Sequence, residues 1–279
     1  MGIPNRQRRL LGVKMAEINF FKMHGLGNDF VLIDARKEKL EGIDLKQLAI
    51  DVCGLHLGVG ADGLLIVWPS KTAHYRMQIF NPDGFEPEMC GNGIRCFAKY
   101  VYEADKLKEE VISVETKAGV VLPAVILGPD KKVIGVEVDM GEPKDEGEVK
   151  LEGFTFRKIN MGNPHAVTFV EDLTKIDLYS VGPKIENDKH FPNRTNVEFV
   201  KIINDKEIEV AVWERGVGET LACGTGACAS VVTASLMEKI GRRALVHLPG
   251  GDLDIEWSED QHVLMRGPAQ KVFEGKYYL

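Results

Sequence analysis

Cys-Gly-Asn-Gly-Ile-Arg-Cys-Phe-Ala begins at residue 90, and Cys-Gly-Thr-Gly-Ala-Cys-Ala-Ser begins at residue 223. Each stretch follows a predicted strand and a loop that contains glycine, and each opens a predicted helix. Apolar residues recur at i, i+3, i+4 and i+7 from Ile94 to Val101, which predicts one apolar helix face. Residues 227–237 are small or apolar on every side, which predicts a helix that is buried all round. This weak internal repeat suggests two related domains, each a sheet around one central helix.

Most of the remaining sequence is typical of short strands, because it is rich in Val, Ile, Phe and Thr and is divided by turn residues. The predicted strands cover residues 30–34, 64–68, 75–81, 111–116, 133–140, 195–203 and 208–213. Residues 204–207 are predicted to join the last two strands in a hairpin. Asp44 is expected to cap a helix that runs to Cys53, and Lys239 with Gly241 is expected to end the helix after Cys223.

Composition limits the classes of protein and partner. A chain of 279 residues can form two medium domains. The net charge of −7, with no basic stripe, argues against nucleic acid as a partner. No apolar run approaches the roughly 20 residues of a membrane helix, so no membrane partner is expected. Residues 1–14 are interpreted as an extension or an upstream start, with an ordinary N-terminal arm as the alternative.

The cysteines indicate a compartment and argue against a metal. Their number, five, is odd in a long chain, which argues against a disulfide framework and favours a reducing cytoplasm. Cys53, Cys96 and Cys228 are expected to be small buried apolar residues. The spacings Cys90-x5-Cys96 and Cys223-x4-Cys228 differ from the tight pair of a zinc site, so no metal is predicted.

Cys90 and Cys223 are the candidate catalytic pair. A cysteine at a helix N-terminus is expected to have a lowered pKa and more thiolate. The neighbouring glycines and exposed N–H groups suit a carboxylate. Two such sites predict a symmetric reaction, in which one thiol removes an α-proton and the other returns a proton to the opposite face. The helix starts would stabilise the developing carbanion at the carboxylate without a cofactor. The alternative is that Cys-Gly-x-Gly only shapes a helix start.

The chain resembles the diaminopimelate epimerase family from Asn19 to its C-terminus, and several separate motifs in order carry this resemblance. The motifs are Phe-Lys-Met-His-Gly-Leu-Gly-Asn-Asp-Phe (21–30), Gly-Val-Gly-Ala-Asp-Gly (58–63), Asn-Pro-Asp-Gly followed by Met-Cys-Gly-Asn-Gly-Ile-Arg-Cys (81–96), Met-Gly-Asn-Pro-His-Ala-Val (161–167), Arg-Thr-Asn-Val-Glu-Phe (194–199) and Trp-Glu-Arg-Gly…Ala-Cys-Gly-Thr-Gly (213–226). Any one motif alone is weak evidence, whereas the ordered set is specific.

The resemblance implies a reaction and a set of site residues. The reaction is the interconversion of LL- and meso-2,6-diaminopimelate, in lysine and cell-wall precursor biosynthesis, with Cys90 and Cys223 as acid and base and no pyridoxal phosphate. His165 and Glu214 are implied to assist, the latter also by binding an ammonium group. Backbone N–H groups are implied to hold the carboxylate at the reacting end, and they belong to Gly91, Asn92, Gly224 and Thr225. Polar side chains are implied to grip the distal end, and they are Asn28, Asn81, Asn163, Asn196 and Arg215.

The resemblance also implies the architecture. Each of two pseudo-symmetric domains would be a mostly antiparallel sheet or barrel wrapped around its central helix, an α+β fold with the active site in the interdomain cleft. Residues 1–130 with 267–279 would form the domain of Cys90, and residues 131–266 that of Cys223. The strand near 271–279 would return to the first domain. A bend at Gly216 would let both Glu214 and Arg215 serve the site. A homodimer is left open.

One departure and three alternatives remain. Some family members carry a glutamine at the position of Gly63, so substrate contact there is in doubt, and Asp62 is interpreted as structural. Proline racemase is the nearest alternative, although its first motif typically has histidine where Asn92 stands. A related isomerase that uses a carboxylate is disfavoured because both cysteines are present. A binding protein for an amino acid, without catalysis, also stays open.

Overall fold

The computed structural model of the protein describes residues 17–279, so the extension predicted for residues 1–14 lies outside the described residues. Within this range the chain divides into two compact units. The first unit contains the described residues up to Gly25, Asp29–Val121 and Ala269–Leu279, and the second contains Leu26–Asn28 and Leu122–Pro268.

The first unit is built on a seven-stranded sheet with two helices. Its elements are β1 (Glu17–Gly25), β2 (Asn28–Asp34), α1 (Leu45–Cys53), β3 (Gly63–Pro69), β4 (Tyr75–Phe80), α2 (Gly91–Asp105), β5 (Val114–Thr116), β6 (Gly119–Val121) and β18 (Gln270–Tyr278). The strand order is β18-β1-β2-β3-β4-β5-β6. Helix α2 contacts β1, β3 and β4, so the sheet curves around the helix that follows Cys90. Strand β18 pairs antiparallel with β1, which confirms the predicted return of the last strand.

The second unit is built on an eleven-stranded sheet. Its elements are β7 (Ala124–Leu127), β8 (Val133–Asp139), β9 (Lys144–Leu151), β10 (Phe154–Asn160), β11 (Pro164–Phe169), a 3-10 turn (Leu173–Lys175), α3 (Leu178–Glu186), β12 (Asn196–Asn204), β13 (Glu207–Glu214), β14 (Gly218–Glu219), α4 (Gly224–Leu236), β15 (Arg243–Leu248), β16 (Gly251–Trp257) and β17 (Val263–Gly267). The strand order is β7-β8-β17-β16-β15-β13-β12-β11-β10-β9, and β14 pairs with β13.

Helix α4 is the centre of the second unit. It contacts strands β10 to β13 and β15 to β17, and all residues from Gly226 to Ala234 are buried. The uniformly apolar sequence therefore has its expected cause, because a helix surrounded by a sheet has no solvent-facing side. In α2, the residues Asn92–Ala98 are likewise all buried, including the charged Arg95, and the exposed residues lie in its last turn. The prediction of a single apolar face was therefore too narrow for this helix.

Most predicted elements are confirmed, including the helix capped by Asp44 and the hairpin of β12 and β13. The strand predicted at 111–116 was too long, since β5 begins at Val114 and Val111 is 51% exposed. The end of α4 was also wrong. The helix stops at Leu236, and Glu238 has a left-handed backbone (φ 55°), so the chain has turned before Lys239.

Helix α3 was missed because Gly182 and Pro183 weaken its helical pattern. The sheets are mostly antiparallel, as predicted, with parallel pairs at β2–β3, β4–β5, β11–β12 and β13–β15. Among residues 17–279, no helix is both long and apolar enough to cross a membrane.

Candidate active site

Cys90 caps the N-terminus of α2. Its backbone is extended (φ −140°, ψ 120°), and its Sγ accepts a hydrogen bond from the Gly93 N–H at 3.5 Å. The thiol is half-buried. An extended residue whose side chain accepts from the third helical N–H is the geometry of an N-cap, with sulfur in place of the usual oxygen. The Cys-Gly-x-Gly stretch therefore forms the predicted helix start.

The other site residues predicted near this helix lie on either side of it. Gly91 and Asn92 are the first two residues of α2, and Asn92 is buried. The first N–H groups of a helix point out of its N-terminal end, where they suit a carboxylate. Asn81 directly follows β4, in a turn where the Gly84 N–H donates to the Asn81 carbonyl at 2.9 Å.

Cys223 caps α4 in the same way. Its backbone is extended (φ −118°, ψ 110°), and its Sγ accepts from the Gly226 N–H at 3.4 Å. The Thr225 hydroxyl lies 3.5 Å from the same sulfur. Cys223 is only 5% exposed. Gly224 and Thr225 are the first two residues of α4, so their positions in this helix are equivalent to those of Gly91 and Asn92 in α2.

The electrostatic environment of Cys223 corrects one expectation. Burial raises the pKa of its thiol well above the usual range, and the nearby carboxylates of Glu214 and Glu198 raise it further. Hydrogen bonds from the Thr225 hydroxyl and the Gly226 N–H act in the opposite direction. The lowered pKa expected from the helix N-terminus is therefore wrong for Cys223, because the loss of water and the two carboxylates outweigh the helix.

Glu214 and Arg215 occupy a tight turn between β13 and β14. Gly216 has a left-handed backbone (φ 77°), and the Val217 N–H donates to the Glu214 carbonyl at 3.0 Å, so the predicted bend at Gly216 is confirmed. Glu214 Oε1 accepts from the Thr220 hydroxyl at 2.5 Å, and burial raises the pKa of this carboxyl group. Arg215 Nη1 donates to the Asn193 carbonyl at 3.1 Å.

Asn196 fixes the position of Arg215. Its Oδ1 accepts from the Arg215 N–H at 2.9 Å, and its Nδ2 donates to the Pro164 carbonyl at 3.0 Å. Both ends of the amide are therefore engaged with backbone. These bonds connect β11, β12 and the turn that contains Arg215, and they use one of the two N–H groups and one of the two oxygen lone pairs of the amide.

Asn163, which is half-buried, and His165 form a hydrogen-bonded pair. His165 is fully buried, with Nε2 3.0 Å from Asn163 Oδ1 and Nδ1 2.6 Å from Glu198 Oε1. The Asn163 Nδ2 donates to Thr225 Oγ1 at 3.2 Å, which connects the pair to the start of α4. His165 therefore has carboxylate and amide partners on its two ring nitrogens.

The second unit thus collects most of the predicted site. The residues with positions in this unit are Asn28, Asn163, His165, Asn196, Glu214, Arg215, Cys223, Gly224 and Thr225. Direct hydrogen bonds join Asn163, His165, Thr225 and Cys223 into one network, and another joins Asn196 to Arg215. Asn28 is half-buried at the first position of β2.

The sequence matches the model of the family described as diaminopimelate epimerase over residues 20–145 and 157–272. A diaminopimelate epimerase of Moorella thermoacetica is 51% identical, with 94% of this chain and 100% of that protein covered. The chain belongs to the diaminopimelate epimerase family. Another diaminopimelate epimerase, from Methanococcus maripaludis, is 44% identical, with 93% of this chain and 99% of that protein covered.

Solved structures with low sequence identity share the fold of this diaminopimelate epimerase family member. A phenazine biosynthesis protein of the PhzF family from Bacillus anthracis has a TM-score of 0.73 at 18% identity, over 95% of this chain and 100% of that chain. A hydroxyproline epimerase from Agrobacterium vitis has a TM-score of 0.70 at 15% identity, with 94% of this chain and 91% of that chain covered. These similarities support the predicted two-domain α+β fold.

Gly63 has a packing explanation in this member of the diaminopimelate epimerase family. A Cβ at this position would lie 2.9 Å from the Phe80 carbonyl oxygen and 3.2 Å from Phe30 Cδ1. The ring of Phe30 therefore occupies the space that a side chain would need. Asp62 exchanges hydrogen bonds with Asp29, through the N–H of each residue and the carboxylate of the other, which supports its structural interpretation.

Sequence reasoning missed Glu198. It is fully buried in β12 and binds His165. The signal was present in the Arg-Thr-Asn-Val-Glu-Phe motif, since a carboxylate between Val197 and Phe199 in a strand of buried residues needs a partner. Cys53, Cys96 and Cys228 are buried as predicted, and burial raises the pKa of Cys53 and of Cys96 to about 12.

Proposed function

We propose that this protein interconverts LL- and meso-2,6-diaminopimelate without pyridoxal phosphate, in the lysine branch of amino-acid biosynthesis. The observation that carries the proposal is the pair of cysteines, Cys90 and Cys223, that cap two helices with the same Cys-Gly-x-Gly geometry. Membership of the diaminopimelate epimerase family supports the choice of substrate.

The proposed reaction moves one proton in and one proton out. The Cys90 thiolate removes the α-proton and becomes a thiol, and the electron pair of the broken C–H bond is delocalised into the substrate carboxylate. The Cys223 thiol then gives its proton to the opposite face and becomes a thiolate. The reverse direction exchanges the two roles, and no external acid or base is consumed.

The N-terminal N–H groups of the two helices and several polar side chains have the remaining roles, which are charge stabilisation and substrate binding. N–H groups of Gly91, Asn92, Gly224 and Thr225 stabilise the charge that develops on the carboxylate. Glu214 binds the ammonium group of the reacting end. His165 assists proton transfer through the hydrogen bonds that connect it, by way of Asn163 and Thr225, to Cys223. The distal end of the substrate is held by Asn28, Asn81, Asn163, Asn196 and Arg215. A guanidinium binds a carboxylate through two parallel hydrogen bonds, so Arg215 selects substrates that carry a carboxylate at the distal end.

Cys223 supplies a starting state for this cycle. Because burial and two carboxylates raise the pKa of its thiol, Cys223 is a protonated acid at neutral pH before substrate binds. In the first turnover it therefore donates a proton, and Cys90 is the base.

We also propose a cytoplasmic location, which keeps both thiols reduced. The homodimer stays a prediction.

Solvent exchange tests the proposal. The purified, reduced protein is incubated in D2O with LL-diaminopimelate or with proline, and NMR and mass spectrometry follow the α-position. We expect deuterium in newly formed meso-diaminopimelate before it appears in recovered LL substrate, because the donating thiol has exchanged with solvent. Exchange with proline alone would identify a proline racemase. Binding of LL-diaminopimelate without any exchange would identify a binding protein.

A further inference from the structure

Glu198 is a buried acid that the proposed reaction does not use. It is the third residue of β12 and has no exposed surface. Its Oε1 is 2.6 Å from His165 Nδ1, whereas its Oε2 has no hydrogen-bond partner among residues 17–279. Burying an ionisable group with an unsatisfied oxygen costs free energy of folding. An apolar residue of similar size would avoid this cost, so the carboxyl group needs a functional explanation.

Hydrogen-bond directions in the network are fixed by one amide. Asn163 Nδ2 donates to Thr225 Oγ1 at 3.2 Å, so Asn163 Oδ1 faces His165 Nε2 at 3.0 Å. An amide oxygen only accepts, and His165 Nε2 must therefore carry a proton. The other ring nitrogen, Nδ1, faces Glu198. Either a carboxylic acid donates to a neutral Nδ1, or a carboxylate accepts from a protonated one, and both states leave Nε2–H in place.

The network ends on the catalytic sulfur. Because Thr225 Oγ1 accepts from Asn163, its own hydroxyl proton is directed to another acceptor, and Cys223 Sγ lies 3.5 Å away. A hydrogen bond to a thiolate favours the charged form. The Thr225 hydroxyl is accordingly one of the two groups whose hydrogen bonds lower the pKa of Cys223 against the effect of burial.

We propose that Glu198 is a positioning residue for Cys223, and that it acts by holding His165 and Asn163 in the arrangement that points the Thr225 hydroxyl proton at the sulfur. The importance of this device for catalysis rests on the function proposed above. The hydrogen bonds themselves lie within one unit.

The charged groups near Cys223 explain why the buried residue at position 198 is a carboxylic acid, which can be protonated. The titratable groups that act on the thiol or on its network are Glu214, Glu198 and His165. Burial raises the pKa of Glu198, and His165 opposes this shift. When Glu198 is protonated, the network stays in place and the negative charge that raises the pKa of Cys223 is absent. A permanently ionised group would weaken the acid–base function of Cys223.

Alkylation of Cys223 measures this effect without turnover. The rate of reaction with iodoacetamide is measured from pH 6 to pH 10, and peptide mapping by mass spectrometry separates Cys223 from Cys90, the internal control. Glu198→Gln retains an N–H donor for His165 Nδ1 but removes a charge that raises the pKa of Cys223, so its Cys223 alkylation should be at least as fast as in wild type. Glu198→Met removes the donor at similar length, and Glu198→Asp withdraws it while folding is preserved. At neutral pH, Cys223 alkylation should be roughly tenfold slower in Glu198→Met than in the equally uncharged Glu198→Gln, and roughly tenfold slower in Glu198→Asp than in wild type, equal to one pKa unit.

Thr225 tests the last step of the network. Thr225→Val removes the hydroxyl group and should reproduce the shift of Glu198→Asp, whereas Thr225→Ser should keep the wild-type profile. Equal Cys223 profiles in Glu198→Met and Glu198→Gln, together with a wild-type profile in Glu198→Asp, would overturn the proposal, as would a wild-type profile in Thr225→Val. A shift at Cys90 of the same size would show a general loss of structure and would also refute it. Because alkylation needs no substrate, the result is independent of the exchange assay.

Discussion

The two helix starts have the same backbone and different surroundings. Cys90 and Cys223 both have extended backbones, and each sulfur accepts from the N–H of the second glycine in Cys-Gly-x-Gly. Cys90 is half-buried, whereas Cys223 is 5% exposed and lies beside two carboxyl groups. The local sequence therefore determines where a thiol is placed, and contacts distant in sequence determine which protonation state it holds.

Removal of either thiol should have the largest effect, because in the proposed reaction one face of the α-carbon then lacks its acid or base. We expect Cys90→Ala and Cys223→Ala each to reduce epimerisation by about 10³-fold, within the range for general acid–base catalysis. The measurement is the rate of meso-diaminopimelate formation by chiral chromatography. Cys228→Ala, at a buried position one turn into α4, is the matched control and should stay active. Wild-type turnover in either Ala variant would refute the two-thiol scheme.

Arg215→Lys should weaken substrate binding without changing the pKa of the Cys223 thiol. A lysine cannot form two parallel hydrogen bonds to a carboxylate. A charged hydrogen bond contributes about 1.5–3 kcal/mol, so KM for diaminopimelate should rise at least tenfold. The pH profile of Cys223 alkylation should not move. Arg243→Lys changes an exposed pair with Asp254 and is the control. An unchanged KM in Arg215→Lys would remove this residue from the binding site.

Glu214→Gln should make Cys223 more like an ordinary thiol. The negative charge of Glu214 raises the pKa of Cys223, so its removal lowers that pKa and increases the thiolate fraction at neutral pH. We expect iodoacetamide to modify Cys223 roughly tenfold faster at pH 7.5, for a shift of one pKa unit. Cys90 in the same sample should react at its wild-type rate. Slower modification of Cys223 would mean that Glu214 acts as its base instead.

The second glycine of each start should respond differently to alanine. A Cβ at Gly226 would lie 2.7 Å from Glu198 Oε1, whereas a Cβ at Gly93 would meet Leu65 Cδ2 at 3.3 Å and Cys90 Cβ at 3.4 Å. Gly226→Ala should therefore cost about 1–3 kcal/mol of unfolding free energy by overpacking. Gly93→Ala should change it by less than about 1 kcal/mol, since side-chain ends can move. Urea unfolding measures both, and equal losses would contradict the comparison.

Local pattern predicted the elements of this fold well and their partners poorly. The helices after Cys90 and Cys223 follow from apolar spacing, and β12 with β13 follows from a hairpin signal. Helix α3 escaped because Pro183 is unfavourable in a helix unless the surrounding structure supports it. The pairing of β18 with β1 joins residues at opposite ends of the sequence, so only the family resemblance could indicate it.

In the candidate site, too, the features that depend on local sequence were predicted, and those that depend on residues distant in sequence were not. Cys-Gly-x-Gly identified both sulfurs because an N-cap is a local structure. The raised pKa of Cys223 depends on Glu214 and Glu198, which lie on other elements, and on burial. No spacing in the sequence contains that information. The motif that contains Glu198 predicts no role for it, since its partner His165 lies on a separate strand, β11.

The position of β18 has a consequence for synthesis on the ribosome. Strand β1 pairs with β18 along nearly its whole length, from Glu17 with Tyr278 to His24 with Gln270. Every residue of the second unit is translated before β18, so a growing chain presents β1 with an open edge for most of its synthesis. Unpaired strand edges promote association between chains. Nascent chains stalled before residue 270 should therefore aggregate or recruit chaperones, whereas chains released with β18 should not.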